Sequence, residues 1–216
     1  RFREVGIRAG GGIPGITGLS GEVSATDRAG SVRLDSRQLG LDDTQLFRHP
    51  LAFERAEAKL AWQTRPDGSL ALELEDMRLV NADLDASGRG KMQIRPGAAP
   101  ELELTARMSR GVGDAVWRYL PRAVSDDAYD WIRRGIKAGI AEDTRLVLRG
   151  PLDRFPFQDG GGQFRVDVKV RDVQIEVAPS WPRFVGINGW VIFHGTAMEI
   201  LADTAQVQEV PGIRLH

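Results

Sequence analysis

From Ala82 to Arg95 the chain alternates without exception. Ala82, Leu84, Ala86, Gly88, Gly90, Met92 and Ile94 are apolar or small, and Asp83, Asp85, Ser87, Arg89, Lys91, Gln93 and Arg95 are polar. A period of two gives a β-strand one dry face and one wet face. Fourteen residues at ~3.3 Å each reach roughly 46 Å, so the pattern predicts one unusually long strand or two collinear ones. After the breaker run Arg95-Pro96-Gly97-Ala98-Ala99-Pro100 the alternation resumes, with Leu102, Leu104, Ala106 and Met108 opposite Glu101, Glu103, Thr105 and Arg107. The two runs read as a hairpin.

Upstream, Ala56, Ala58, Leu60 and Trp62 alternate with Arg55, Glu57, Lys59 and Gln63. Arg65-Pro66-Asp67-Gly68 then makes a turn, and Leu70, Leu72 and Leu74 continue the apolar face in a second hairpin. Near Glu75-Asp76 the phase slips, because Met77 and Leu79 carry the pattern on, which predicts a bulge that bends the sheet. Toward the start, Leu19 to Ala25 and Val32 to Leu34 flank Asp27-Arg28-Ala29-Gly30. Toward the end, Phe164, Val166, Val168 and Val170 give way across Arg171-Asp172 to Val173, Ile175 and Val177. Both read as meanders.

Val112 to Ala138 breaks the rule. Val112, Ala115, Val116, Tyr119 and Leu120 fall at helical spacing, Pro121 stops the run, and Trp131, Ile132 and Ile136 mark a second helix. Ser125 is its expected N-cap, with Asp126 and Asp127 in the first turn, and Gly139 its expected C-terminal stop. The fold expected is therefore mainly β: a long curved antiparallel sheet of meandering hairpins forming a hydrophobic groove, with a short two-helix insert. Its expected parts are an N-terminal sheet segment over 1–110, the insert over 111–140 and a C-terminal sheet segment over 141–216 continuous with the first. No repeat of 20 to 50 residues is found.

Composition narrows the function classes. The 216 residues carry 29 basic and 30 acidic side chains, so no basic excess is available to neutralise a nucleic-acid backbone. The 42% hydrophobic and 27% charged content is that of a folded chain. Cysteine is absent, which removes disulfides, thiolate metal sites and thiol nucleophiles. No apolar run approaches the ~20 residues that span a bilayer. The chain opens at Arg1 without a leader and stops just after a strand-like stretch, so it reads as an interior segment of something longer.

The search for chemistry returns little. Gly10-Gly11-Gly12-Ile13-Pro14-Gly15 satisfies GxGxxG, but Pro14 and the strand-like Ile16 to Ala25 leave no helix to present N–H groups to a phosphate; the run reads as a Gly-rich connection, as does Gly160-Gly161-Gly162. His49, His194 and His216 lack metal-ligand spacing. No nucleophile-elbow string exists. Asp83, Asp85, Glu101 and Glu103 sit on polar strand faces among Arg and Lys and read as surface charges rather than as an acid/base pair. Trp62, Trp117, Trp131, Trp181 and Trp190 invite a sugar or lipid-interface reading, yet Trp117 and Trp131 sit where helix-to-sheet packing is the simpler one. Trp181-Pro182 suggests a fixed turn.

Several phrases together carry a resemblance: Tyr119-Leu120-Pro121, Asp130-Trp131-Ile132 with Gly135, Leu146-Val147-Leu148-Arg149-Gly150, Phe155-Pro156-Phe157, Gly162-Gln163-Phe164 and Trp181-Pro182, preceded by Phe47-Arg48-His49-Pro50-Leu51. In order and spacing the chain resembles the YhdP branch of the AsmA-like proteins, relatives of TamB in the Gram-negative envelope. The resemblance covers nearly all of the chain. It implies a periplasmic segment of an inner-membrane-anchored protein, whose hydrophobic β-groove carries phospholipids between inner and outer membranes. The partners implied are phospholipid acyl chains and, through other parts of the protein, the two membranes. It implies no catalytic residue, no cofactor and no metal.

Independently, a sheet with one apolar face must cover that face, and one short helical insert is too small to cover every strand. The alternatives are a sheet curled into an ordinary sandwich and an open trough for acyl chains. The residues expected to line the trough are Leu70, Leu72, Leu74, Leu84, Met92, Ile94, Leu102, Leu104, Met108, Val166 and Val168, with small neighbours Ala86, Gly88, Gly90 and Ala106 leaving room. On that reading Leu84→Asp or Leu104→Asp abolishes lipid crosslinking and leaves the fold largely intact. The competing reading is a structural or assembly module of the envelope whose apolar faces pack only on protein.

Overall fold

The structure, a computed structural model, describes residues 1–11, 13–179 and 181–208 and the backbone of 214–215. Twelve strands follow one another in space in their chain order, each antiparallel to the last, with no crossover. They are β1 (Phe2–Ile7), β2 (Gly15–Ala25), β3 (Ala29–Asp42), β4 (Leu51–Thr64), β5 (Leu70–Val80) and β6 (Leu84–Ile94). β7 (Glu101–Val112), β8 (Ile136–Pro151), β9 (Gln163–Ile175), β10 (Phe184–His194), β11 (Ala197–Val207) and the two-residue β12 (Arg214–Leu215) complete the sheet. Among the described residues β1 and β12 do not pair with each other, so the sheet is open rather than a barrel. A 3₁₀-helix, Gly113–Tyr119, and the helix α1, Asp126–Gly135, stand between β7 and β8.

The alternation forms these strands, and each interruption of it bends one. Lys59 pairs with Asp76 but Leu60 pairs with Leu74, so Glu75 is the extra residue of a bulge where the sequence pattern slips. Similar register shifts fall between Thr17 and Gly21, Asp85 and Ala86, Ala141 and Asp143, and Asn188 and Gly189. Because the strands themselves bend at these points, the sheet curls about an axis that crosses the strands. The resulting trough runs from β1 toward β12, and the strand ends form its two rims.

Three expectations are corrected. Arg171-Asp172 is no turn: β9 continues through it, with Asp172 at φ 52°. Its N–H donates to Asn188 Oδ1 at 3.0 Å, a bulge shared with the neighbouring strand. Gly139 does not stop a helix, because α1 ends at Gly135 and Ile136 opens β8; Ser125 does cap it, accepting from the Ala128 N–H. The strand expected from Ala82 begins at Leu84, because Asn81 Oδ1 accepts the N–H groups of Asp83 and Leu84 and closes a turn there. Gly10 and Ile13 form an isolated bridge in the Gly-rich connection, and His216 lies outside the described residues.

Among the described residues two apolar clusters are buried. Leu51, Phe53, Ala56 and Leu84 form the first, with Phe47, Leu79, Met108 and Tyr119 packed against it. Val173, Ile187 and Ala205 form the second.

Candidate functional site

The inter-strand register decides which side chains share a face. One ladder of directly paired residues runs Leu34, Ala58, Met77, Gly88, Ala106, Leu146, Val166, Phe193, Met198 from β3 to β11. The ladder one position away runs Asp35, Glu57, Arg78, Ser87, Arg107, Arg145, Asp167, Ile192, Glu199. Nine strands thus keep one face apolar and, with Ile192 the single departure in this ladder, the other polar. A slip of one residue at any pairing would have mixed the faces.

All eleven residues expected to line the trough fall on the apolar face. Leu74, Gly90, Leu104 and Leu148 stand in one ladder with Leu60. Leu72, Met92 and Leu102 stand in another with Trp62, and Leu70 pairs with Ile94. Met108 pairs with Thr144, Thr144 with Val168, and Val168 with Val191. Ten of the eleven are half-buried; Leu84, at 8% exposure, belongs to the sealed cluster. The expectation that Leu84→Asp spares the fold is therefore corrected, whereas Leu104 sits on the open stretch.

Sequence reading did not name Leu146, Val191, Met198 and Ile200 as lining residues, although the ladders place them on the same face. No period-two signal marks them, because Leu146-Val147-Leu148 and Trp190-Val191-Ile192-Phe193 are unbroken apolar runs and Ile200 is followed by Leu201. Trp62 stacks over Gly30, where a Cβ would come within 2.2 Å of its ring. Two shallow depressions follow the small residues of the first ladder. One, of about 580 Å³, is lined by Leu34, Ala58 and Met77 with the charged Arg33, Asp35, Glu57, Lys59, Asp76 and Arg78 beside them; the other, of about 520 Å³, by Met77, Gly88, Ala106 and Leu146 with Ser87, Arg89, Arg107 and Arg145 among their neighbours.

The polar face is stitched by cross-strand pairs. Lys91 Nζ meets Glu73 at 2.8 Å, Arg78 grips both oxygens of Asp85 at 3.2 and 2.9 Å, Arg171 meets Glu142 at 2.6 Å, and Lys59 pairs with Glu75. The carboxylates hold Lys59, Lys91, Arg78 and Arg171 above their ordinary pKa values, and the Arg78 guanidinium holds Asp85 below its own. These are exposed structural pairs, of small energetic weight. No group of three metal-ligating side chains occurs among the described residues, and no described helix is long and apolar enough to cross a membrane.

One rim carries the insert. The 3₁₀-helix and α1 reach the β3–β4 loop, where Phe47 bridges Pro121 and the Arg122 N–H donates to Leu46 O at 2.8 Å. Arg48 donates to Pro121 O at 3.1 Å, Val124 O at 2.8 Å and Asp126 Oδ1 at 2.7 Å, with its guanidinium 4.4 Å from the Tyr129 ring centre. His49 Nε2 and the Tyr129 hydroxyl share a 2.8 Å hydrogen bond. At the β5–β6 turn the Tyr119 hydroxyl donates to Asp83 at 2.9 Å and accepts from Asn81 at 2.8 Å. Burial, chiefly, pushes the Tyr119 pKa up to about 12. At the β9–β10 loop Trp131 Nε1 donates to Val177 O at 3.2 Å. Trp117 and Trp131 are thus packing residues, while Trp181 is 57% exposed, its N–H donating to Ala178 O in a turn.

Among known proteins, the family model described as YhdP protein matches residues 1–216. The chain is 25% identical over 177 residues to the intermembrane phospholipid transporter YhdP of Escherichia coli strain K12, a match covering 82% of this chain and 14% of that protein. The chain therefore spans only a small part of the relative's length. No solved structure matches.

Proposed function

Since this chain belongs to the YhdP family, we propose that its trough holds phospholipid acyl chains and passes them along in transport between the inner and outer membranes. The observation that carries this reading is the apolar ladder kept in register through nine strands and left half-open along most of its length. A sandwich would bury that face, and the described chain supplies no second sheet to do so.

The energy scale suits a track. At ~0.8 kcal/mol per CH₂, a 16-carbon chain gains on the order of 12 kcal/mol over water in the trough, and it gives up nearly as much on leaving a bilayer. Movement along a uniform apolar lining is then close to isoenergetic. Leu70, Leu72, Leu74, Met92, Ile94, Leu102, Leu104, Met108, Val166 and Val168 supply the lining, and head groups stay in water at the opening. The role is nonenzymatic, needs no cofactor, and places the segment in the periplasm as part of a longer, membrane-anchored protein.

The test is photocrosslinking from Leu72 and Leu104 in cells, with mass spectrometry of the purified protein. Phospholipid adducts at both positions, lost in Leu104→Asp, are expected. Purified protein free of phospholipid, with crosslinks only to protein, would show instead an envelope assembly module whose apolar face packs on a partner.

A further inference from the structure

The insert is built as a flap. Its two roots, Val112 in β7 and Ile136 in β8, lie on adjacent strands, and each borders a glycine, Gly113 and Gly135, where the chain turns out of the sheet. Beyond those roots it touches the β3–β4 loop, three strands from β7, on one side and the adjoining β9–β10 loop on the other. Where its Tyr119 and the Phe47 it grips come down on the apolar face, exposure falls to 4–8% at Leu51, Phe53, Ala56 and Leu84.

Part of the grip is polar. The Arg48 side chain, 13% exposed, takes two backbone carbonyls and one carboxylate of the insert. Such bonds exchange with water at small net cost. A seven-residue 3₁₀-helix and a ten-residue α-helix have too little length to hold shape alone. Opening it would bare Leu51, Phe53, Ala56 and Leu84 together with the insert's own Ala115 and Tyr129, so the shut state dominates and opening is a rare event.

We propose that Gly113–Gly135 is a lid along this rim, latched by Arg48, and that it swings aside to let an acyl chain enter or leave the trough sideways. This rests on the reading of the trough as a lipid track. A lid that must open taxes loading by the fraction of time it is shut.

Phe47 and Pro121 face each other in an antiparallel bridge, a spacing of ~4.5–5.5 Å between Cα atoms that a disulfide can span. The chain has no cysteine, so Phe47→Cys/Pro121→Cys adds a single pair to it. The experiment uses the protein at its natural length, and vesicles of phosphatidylethanolamine and phosphatidylglycerol carrying a self-quenched acyl-labelled phosphatidylethanolamine. Disulfide formation is verified by thiol titration, and loading is read as dequenching. The oxidised variant should load at least about tenfold more slowly than the same variant reduced. Arg48→Ala, with the latch gone, should load several-fold faster than the unaltered protein. Equal rates in the oxidised and reduced forms, or an Arg48→Ala protein that melts normally and loads no faster, overturn the lid and leave the trough standing. No loading by the unaltered protein overturns the trough reading itself, and the lid with it.

Discussion

The two rims of the trough are held by different physics. On the rim formed by the β2–β3, β4–β5 and β6–β7 turns, each turn closes on itself, with single backbone bonds such as Thr64 N–H to Arg28 O and Leu152 N–H to Pro100 O joining neighbouring hairpins. Thr26 N–H reaches Ala29 O, Arg65 N–H reaches Ser69 O, and Ala98 N–H reaches Arg95 O, each within four residues. On the other rim side-chain bonds between distant loops are added to the local turns. Arg48 reaches Pro121 across 73 residues, Arg122 reaches Thr44 across 78, and Asn81 joins Ala52 to Tyr119. A locally closed rim forms with its hairpin and only turns the chain. A rim closed over distance exists only once the sheet has brought its loops together.

The strongest test of that contrast is a charge on each stretch of the apolar face. Leu84→Asp, beneath the insert, should cost about 3–5 kcal/mol in urea unfolding, since a carboxylate is buried without a partner. Leu104→Asp on the open stretch should cost less than half of that; equal losses would mean the trough is sealed throughout. Next, Gly150 on the turn-bearing rim sits at φ 133°, and a Cβ there would come within 2.8 Å of Phe157. Gly150→Ala should cost about 2–3 kcal/mol by thermal melting, through backbone strain and lost packing of Phe157. Asn81→Ala should cost about 2 kcal/mol, since it removes the acceptor of the Asp83 and Leu84 N–H groups and one of the two partners of the Tyr119 hydroxyl, and Arg122→Ala on the same rim should add less than its own separate cost if the two are coupled.

Smaller effects separate the rims by pH. Tyr119 keeps its proton to about 12 when folded, against 10.0 for the free side chain. Above pH 10 the unfolded chain therefore holds fewer protons than the folded one, and stability falls as pH rises from 10 toward 12. Melting curves should show that fall, and Tyr119→Phe should lessen it. The smallest effect is at the Pro66-Asp67 turn. Hydrogen bonding from Ser69, whose N–H donates to Asp67 Oδ1 at 2.9 Å, holds Asp67 below its usual 3.8, so its contribution is present above that value and lost as pH falls through the lowered one. Asp67→Asn should flatten a shallow acid limb of the melting curve and leave the alkaline limb unchanged.

Alternation made much of the sheet readable, because a period of two is written by burial of one face alone. The slip at Glu75-Asp76 read as a bulge and is one. The same slip at Arg171-Asp172 read as a turn, since nothing local shows that Asn188 waits to accept the Asp172 N–H. Gly139 read as a helix stop, but its φ of 129° serves β8, where a Cβ would come within 2.5 Å of Val173. The apolar face was legible for the same reason as the strands. The Arg48 latch was not, because Arg48-His49-Pro50 is an unremarkable loop until Tyr129, 81 positions after Arg48, packs over it.

The sequence by itself determined which side of each strand is apolar, where most hairpins turn and where Ser125 starts a helix, since each depends on neighbours within a few residues. Only the tertiary structure decided that these faces align through nine strands into one trough, that one rim is roofed, and that Leu84 lies under the roof while Leu104 does not. Register and curl depend on pairings between distant residues, and a chain written in one dimension carries those pairings only as the possibility of matching patterns.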